Sequence, residues 1–152
     1  MVLEALLAYL HIAAILMLVV FISSEAALCR PEWLNAQGVE RLVVIDRIYG
    51  IAAGAVLATG LLRIFLGAKG AGWYWGNWLL HVKLGLFVLA GLISIAPTLR
   101  FIRWRRTLRA TGALPDAGEV RAARKLVMLQ AHIIPVIPLA AVFLARGFGA
   151  RG

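Results

Sequence analysis

Several ionisable side chains stand inside long apolar stretches of this sequence, where a hydrocarbon environment makes them costly to bury, and five of them could take part in binding a cofactor. A histidine can ligate a metal or a haem iron through a ring nitrogen, and lysine or arginine can bind carboxylates. The combination predicts a cofactor site if several of these side chains face one interior space. The five residues are His11, Arg63, His81, Lys83 and His132.

The first apolar segment carries a stripe of residues at a spacing of seven. Glu4, His11, Leu18 and Glu25 recur at this interval, and seven residues correspond to two helical turns less about 20°. On a helix these four residues therefore lie along one face. Polar side chains in a membrane helix usually point into the bundle, so we expect this stripe, including His11, to face the interior.

His81 and Lys83 cannot share one face of the third apolar segment. They are two residues apart, so on an α-helix they point about 200° from each other. Lys83 lies on a stripe of mostly small and polar residues with Ala90, Gly91 and Ser94, which is typical of a packing face. We therefore expect Lys83 to face the bundle and His81 to lie near the membrane interface.

The other two candidates occupy the second and fourth segments. Arg63 lies one turn from the end of the second segment, where its side chain could reach either the interface or the space near His11. His132 falls near the middle of the fourth segment and is followed by Pro135 and Pro138. Because proline interrupts helical hydrogen bonding, we expect a kink there that could open a pocket.

The composition of the 152-residue chain is that of a membrane protein. It is 62% hydrophobic with a mean hydropathy of +0.89, whereas soluble domains are about 45–50% apolar. A helix needs about 20 residues to cross the hydrocarbon core, and four segments qualify. We predict an all-α integral membrane four-helix bundle that forms one domain over 1–152, with helices at about 3–28, 43–66, 77–99 and 122–145.

Positive charge is concentrated at one end of the predicted bundle. The net charge is +9, and eight Lys and Arg residues lie between positions 100 and 125. Basic links tend to stay in the cytoplasm, which predicts a basic cytoplasmic loop at 100–121 and an N-out, C-out orientation, although Arg146 and Arg151 lie on the other side. We expect a multi-pass protein of a bacterial inner membrane, in contact with the lipid bilayer. Anionic lipid headgroups are the expected partners of the 100–125 segment, and no nucleic acid partner is expected.

These residues leave three function classes open: haem binding, transport and assembly. A bundle can hold haem b through axial histidines, and His11 would then ligate the metal. Arg63 would bind a propionate, Lys83 would be the second ligand or a propionate partner, and His132 would be the alternative second ligand. The alternative is a cofactor-free membrane protein that acts in transport or in assembly, whose polar groups relay protons or join helices. A porphyrin or a quinone is the expected small-molecule partner. The single Cys29 excludes an intramolecular disulfide and a multi-cysteine metal site.

The segment from Asp46 to Arg106 resembles the DUF2214 family of small predicted bacterial membrane proteins. Its most distinctive part is S-x-x-P-T-x-x-F-x-R-W-R, from Ser94 to Arg105. The AYLH sequence that ends at His11 also fits, so the resemblance covers nearly the whole chain. It implies the fold of a small helical membrane protein and implies no activity.

A second and shorter pattern is similar to the HemJ family of membrane protoporphyrinogen oxidases. It consists of His11 in AYLHIAAI and of the W-L-x-H-x-K-L sequence that contains Trp78, His81 and Lys83. The resemblance implies a helical membrane protein that binds haem b, with His11 and Lys83 as its key residues. From this resemblance we expect a haem b or porphyrin-binding protein with a redox or electron-transfer role, and a haem-dependent oxidoreductase is one form that such a role could take.

Overall fold

The protein is entirely helical in the part of the chain that its computed structural model describes, residues 1–67 and 69–149. The all-α class is therefore confirmed. Arg151 and the last residue of the predicted 1–152 domain lie outside the described residues. In chain order the helices are α1 (Val2–Leu28), α2 (Ala36–Leu66), α3 (Ala71–Trp75), α4 (Trp78–Thr111), α5 (Ala117–Ile133) and α6 (Val136–Ala145).

Four stretches of the described chain are long and apolar enough to cross a membrane. They are α1, α2, α4 and the stretch Ala117–Ala145, which comprises α5 and α6. Large hydrophobic side chains such as Leu16, Leu92 and Leu139 are exposed on the outer faces of these helices. Because an extended apolar surface is unfavourable in water, these faces suit contact with lipid, and the prediction of a four-helix membrane bundle is confirmed.

The two ends of the bundle differ in chemistry. One end, here called the aromatic end, carries α3 and the aromatic side chains of Trp73, Tyr74, Trp75 and Trp78. The other end, here called the basic end, carries the links 29–35 and 112–116 and the arginines around them. Aromatic rings favour the headgroup region and basic residues favour the cytoplasmic side, so the basic end is expected in the cytoplasm.

Cysteine labelling can test this orientation. Burial raises the pKa of the Cys29 thiol to about 12, and Cys29→Ala gives a background without any thiol. In that background we expect Gly72→Cys, at the aromatic end, to react with a membrane-impermeant maleimide in intact cells. Ala113→Cys, at the basic end, should react only after the membrane is opened. The reverse pattern would contradict the N-out, C-out orientation.

The predicted loop at 100–121 is wrong, because α4 continues to Thr111. Phe101 and Trp104 are spaced for one face of a helix and are only 0% and 3% exposed, so core packing extends α4 beyond its apolar segment. The basic residues of this part of α4, from Arg100 to Arg109, mark where the helix leaves the lipid rather than where it ends. Gly112 ends α4 with a φ of 73°, a left-handed conformation that favours glycine.

Two other helices begin earlier than predicted because polar side chains cap them. The Asn35 side chain accepts a hydrogen bond from a backbone N–H in the first turn of α2, which therefore begins at Ala36. Asp116 does the same for α5, which begins at Ala117. Such caps satisfy backbone donors that have no partner within the helix.

The predicted kink in the fourth segment is confirmed, since the helix is interrupted between Ile133 and Val136. Pro135 lies in the break and Pro138 follows it, and neither residue has a backbone N–H to donate. The two parts of the segment have different neighbours. Both α5 and α6 pack against α4, but only α5 packs against α1, and α6 does not approach α1. A gap between α1 and α6 therefore exists towards the aromatic end.

Candidate ligand-binding cavity

A cavity of about 370 Å³ lies in the half of the bundle next to the aromatic end, between α1, α2, α4 and α6. Most of its lining is aliphatic, but His11, Arg63 and Lys83 also reach it. These three residues come from three different helices, and sequence spacing had placed two of them in the interior. The volume falls within the range of about 300–1,000 Å³ that is usual for small-molecule sites.

The ring of His11 is held in one orientation by Thr59 of α2. The Nδ1 atom of His11 lies 2.8 Å from the Thr59 hydroxyl oxygen, and that hydroxyl donates its single proton to the carbonyl of Ala55 at 2.6 Å. The hydroxyl oxygen must therefore accept a hydrogen bond from His11, which places the ring proton on Nδ1. The lone pair on Nε2 remains available, since Nε2 makes no hydrogen bond with the described residues.

Gly60 allows the His11 ring to approach α2 closely. A Cβ atom at this position would lie 3.2 Å from His11 Cε1, which is closer than ordinary van der Waals contact. Any larger side chain would push the ring away from Thr59. Thr59 and Gly60 therefore set the position of His11. Both residues belong to the site, but a search for ionisable residues does not find them. The sequence did indicate that Thr59 could belong to the site, because Thr59 lies one turn before Arg63 on the same helix face.

The cavity contains basic side chains and no acidic ones. No Asp or Glu is among the residues that line it, and the ion pair found in the described part of the chain, Arg109–Glu40, lies elsewhere. Arg63 and Lys83 are partly buried and close enough to repel each other. An anionic group would therefore be attracted to this cavity more strongly than to water.

The gap between α1 and α6 makes the cavity accessible from the side. Ile12 and Ile15 of α1 line one edge and Val142 of α6 lines the other. The two helices do not approach each other, so this opening faces the surroundings of the bundle. An apolar molecule dissolved in the membrane could therefore enter without first crossing into water.

The remaining two histidines lie outside the cavity. His81 is exposed near the aromatic end, as predicted, and its Nε2 lies 3.0 Å from the Trp75 carbonyl oxygen. His132 is also exposed, and its Nδ1 lies 2.6 Å from the carbonyl oxygen of Met128 on its own helix. The structure therefore separates His132 from His11, Arg63 and Lys83. Within the described residues, no group of three or more His, Cys, Asp or Glu side chains is placed to hold a metal ion.

The arrangement defines a class of protein: a multi-pass helical membrane protein with a basic cavity that opens sideways between two helices. The chain belongs to the DUF2214 family, described as a predicted membrane protein, whose family model matches residues 3–149. No curated protein and no solved structure matches the chain. The resemblance to membrane protoporphyrinogen oxidases stays a prediction.

Proposed function

We propose that this membrane protein binds haem b, or a closely related porphyrin, in the cavity between α1, α2, α4 and α6, and that it has a redox or electron-transfer role. One observation supports the proposal most strongly. The cavity combines a histidine that has a free ring nitrogen with two basic side chains that have no acidic partner among the described residues. Haem b has an apolar macrocycle, two carboxylates and an iron that accepts an axial nitrogen ligand, and each of these properties has a counterpart in the cavity.

In this proposal His11 is the axial ligand through Nε2. The hydrogen bond from Nδ1–H to Thr59 keeps the ring oriented and fixes its tautomer, as is usual for metal-bound histidines. Arg63 binds a propionate carboxylate, and Lys83 is either the second ligand or the partner of the other carboxylate. His132, the alternative second ligand, is disfavoured because its ring is exposed on the outside of the bundle.

The bound iron would supply one-electron redox chemistry. The protein's own contribution would be to orient the cofactor and to exclude water. The aliphatic lining, which includes Val56, Leu61 and Phe87, suits a flat apolar molecule. The opening between α1 and α6 leaves space for a macrocycle larger than the enclosed volume.

The alternative, a cofactor-free protein that acts in transport or assembly, explains the charges less well. It would leave Arg63 and Lys83 in an aliphatic cavity without an opposite charge, which is energetically costly. A quinone, the other ligand considered, fills apolar space but carries no carboxylate to pair with them. An anionic ligand would supply the opposite charge that Arg63 and Lys83 lack.

Lys83→Met distinguishes the two roles that Lys83 could have. If Lys83 is the second ligand, the absorption bands of the bound haem should shift, because the amine ligand is lost. If it pairs a propionate, the bands should stay in place and the affinity for haemin should fall by about tenfold or more. Lys69→Met is the matched control, since Lys69 is exposed and lies outside the cavity. Unchanged bands together with an unchanged affinity would contradict both roles.

We also propose that the protein lies in a bacterial inner membrane and that its basic end binds anionic lipid headgroups. Arg103, Arg106, Arg121 and Lys125 are exposed on the ends of α4 and α5, within the 100–125 segment. Basic residues near a membrane surface attract anionic lipids by about 1 kcal/mol each. Binding to vesicles that contain phosphatidylglycerol, compared with neutral vesicles, would test this partner.

A further inference from the structure

A second group of polar side chains, all buried except the half-buried Thr98, lies in the half of the bundle next to the basic end. Its five members come from four helices, and the exposed fraction is only 1% for Glu25 and Gln130 and 8% for Asp46. Leu18 and Val56, buried apolar residues that line the cavity, stand between the two sites along their helices: Leu18 lies between His11 and Glu25 on α1, and Val56 between Tyr49 and Thr59 on α2. The members are Glu25 of α1, Asp46 and Tyr49 of α2, Thr98 of α4 and Gln130 of α5.

Most members of this inner polar cluster have hydrogen-bond partners within it. The Thr98 hydroxyl donates to Asp46 Oδ1 at 2.9 Å, and the Tyr49 hydroxyl donates to Gln130 Oε1 at 3.0 Å. Glu25 is the exception. Its Oε1 is buried and has no hydrogen-bond partner among the described residues, although its carboxyl group is close enough to interact electrostatically with both Asp46 and Tyr49.

No described basic side chain forms an ion pair with the Glu25 carboxyl group. Arg124 of α5 donates instead to the backbone carbonyls of Ala26 and Cys29 at the end of α1. Cys29 is buried and uncharged at neutral pH, because burial raises its pKa to about 12. A buried carboxylate without a counter-charge is strongly unfavourable, so either a proton or another cation must neutralise Glu25.

We infer that Glu25 and Asp46 form a binding site for a monovalent cation, either H⁺ or Na⁺, which is distinct from the cavity. The two carboxyl groups and the hydroxyls of Tyr49 and Thr98 are oxygen ligands of the kind that hard cations prefer. The inference does not depend on haem binding.

The site can be tested by infrared spectroscopy and thermal unfolding of the full-length protein in detergent. A protonated carboxyl group has a distinct C=O stretching band, which Glu25→Gln would remove. Glu32→Gln is the matched control, because Glu32 is exposed in the neighbouring link. Each protein is measured over a range of pH, and in Na⁺ or choline at constant ionic strength.

Either cation gives a defined result. If H⁺ is the cation, the C=O band should be present in the wild type and in Glu32→Gln, absent in Glu25→Gln, and lost from the wild type as the pH rises. If Na⁺ is the cation, replacing choline by Na⁺ should raise the unfolding temperature of the wild type by about 3 °C but leave that of Glu25→Gln unchanged.

A C=O band that responds neither to pH nor to Na⁺ would overturn the inference, since it would indicate a permanently protonated structural group. Absence of both a Glu25-dependent band and a Na⁺ effect would overturn it as well. The pH and Na⁺ responses are measured on the wild type, so the test remains decisive even if Glu25→Gln does not fold. In that case Asp46→Asn provides the comparison.

Discussion

Replacing His11 by alanine is expected to remove haem b from the purified protein. Of the three histidines, all of which the structure describes, only His11 lines the cavity, and its Nε2 makes no hydrogen bond with any described residue. Loss of a residue that merely supports a metal ligand costs about 10–100-fold in affinity, so loss of the ligand itself should cost more. The measurement is the molar ratio of haem to protein, from the absorption of protein purified out of haem-replete cells.

The control for this prediction uses the two other histidines. His81→Ala and His132→Ala should retain the wild-type haem content, because both rings lie outside the cavity. The His11→Ala protein should keep its helical circular dichroism, because the hydrogen bond to Thr59 that it loses contributes only about 1 kcal/mol. Full haem content in His11→Ala, or its loss in His132→Ala, would show that the axial ligand is misassigned.

Removing both positive charges from the cavity is expected to weaken the binding of haemin by at least about 100-fold. Hydrogen bonds to charged groups contribute about 1.5–3 kcal/mol each, and the double variant Arg63→Gln with Lys83→Met removes two basic groups. If Lys83 binds a carboxylate, the dimethyl ester of haemin, which lacks both carboxylates, should bind the wild type and the double variant with similar affinity; if Lys83 ligates the iron instead, the ester should also bind the double variant more weakly. Titration of each purified apoprotein with each ligand, followed by absorption, gives the four dissociation constants.

The comparison between haemin and its ester separates charge pairing from a general loss of structure. A damaged cavity would weaken both ligands equally, whereas lost charge pairing weakens haemin alone. Arg103→Gln with Arg106→Gln removes the same formal charge at the basic end and should leave both affinities unchanged. If the double variant in the cavity binds haemin as tightly as the wild type does, Arg63 and Lys83 are not the carboxylate partners.

Residue spacing within single helices predicted most of the site. The seven-residue stripe placed His11, Leu18 and Glu25 inside, and all three are buried. The opposite directions of His81 and Lys83 on their helix predicted that only Lys83 faces the interior; His81 is exposed and Lys83 lines the cavity. These predictions succeeded because a helix fixes the relative directions of its own side chains. Glu4 is the exception, since it lies on the same stripe but is exposed in the first turn of α1.

Features that depend on how the helices pack could not be predicted from the sequence. The spacing could not decide whether Arg63 turned towards the interface or the interior, because its long side chain reaches both; the structure places it in the cavity lining. The gap between α1 and α6 depends on the direction of the chain after Pro135. The continuation of α4 to Thr111 was missed because hydropathy measures the length of the apolar segment, whereas the helix extends as far as its side chains find core partners.

The most direct test of the proposed function is the absorption spectrum of the detergent-purified protein, first oxidised and then reduced with dithionite. The account predicts a Soret band at about one haem per chain, with sharp α and β bands after reduction if two side chains ligate the iron. A protein that shows no Soret band, even after haemin is added, would contradict haem binding. The basic cavity would then have to bind a different anionic molecule or serve transport.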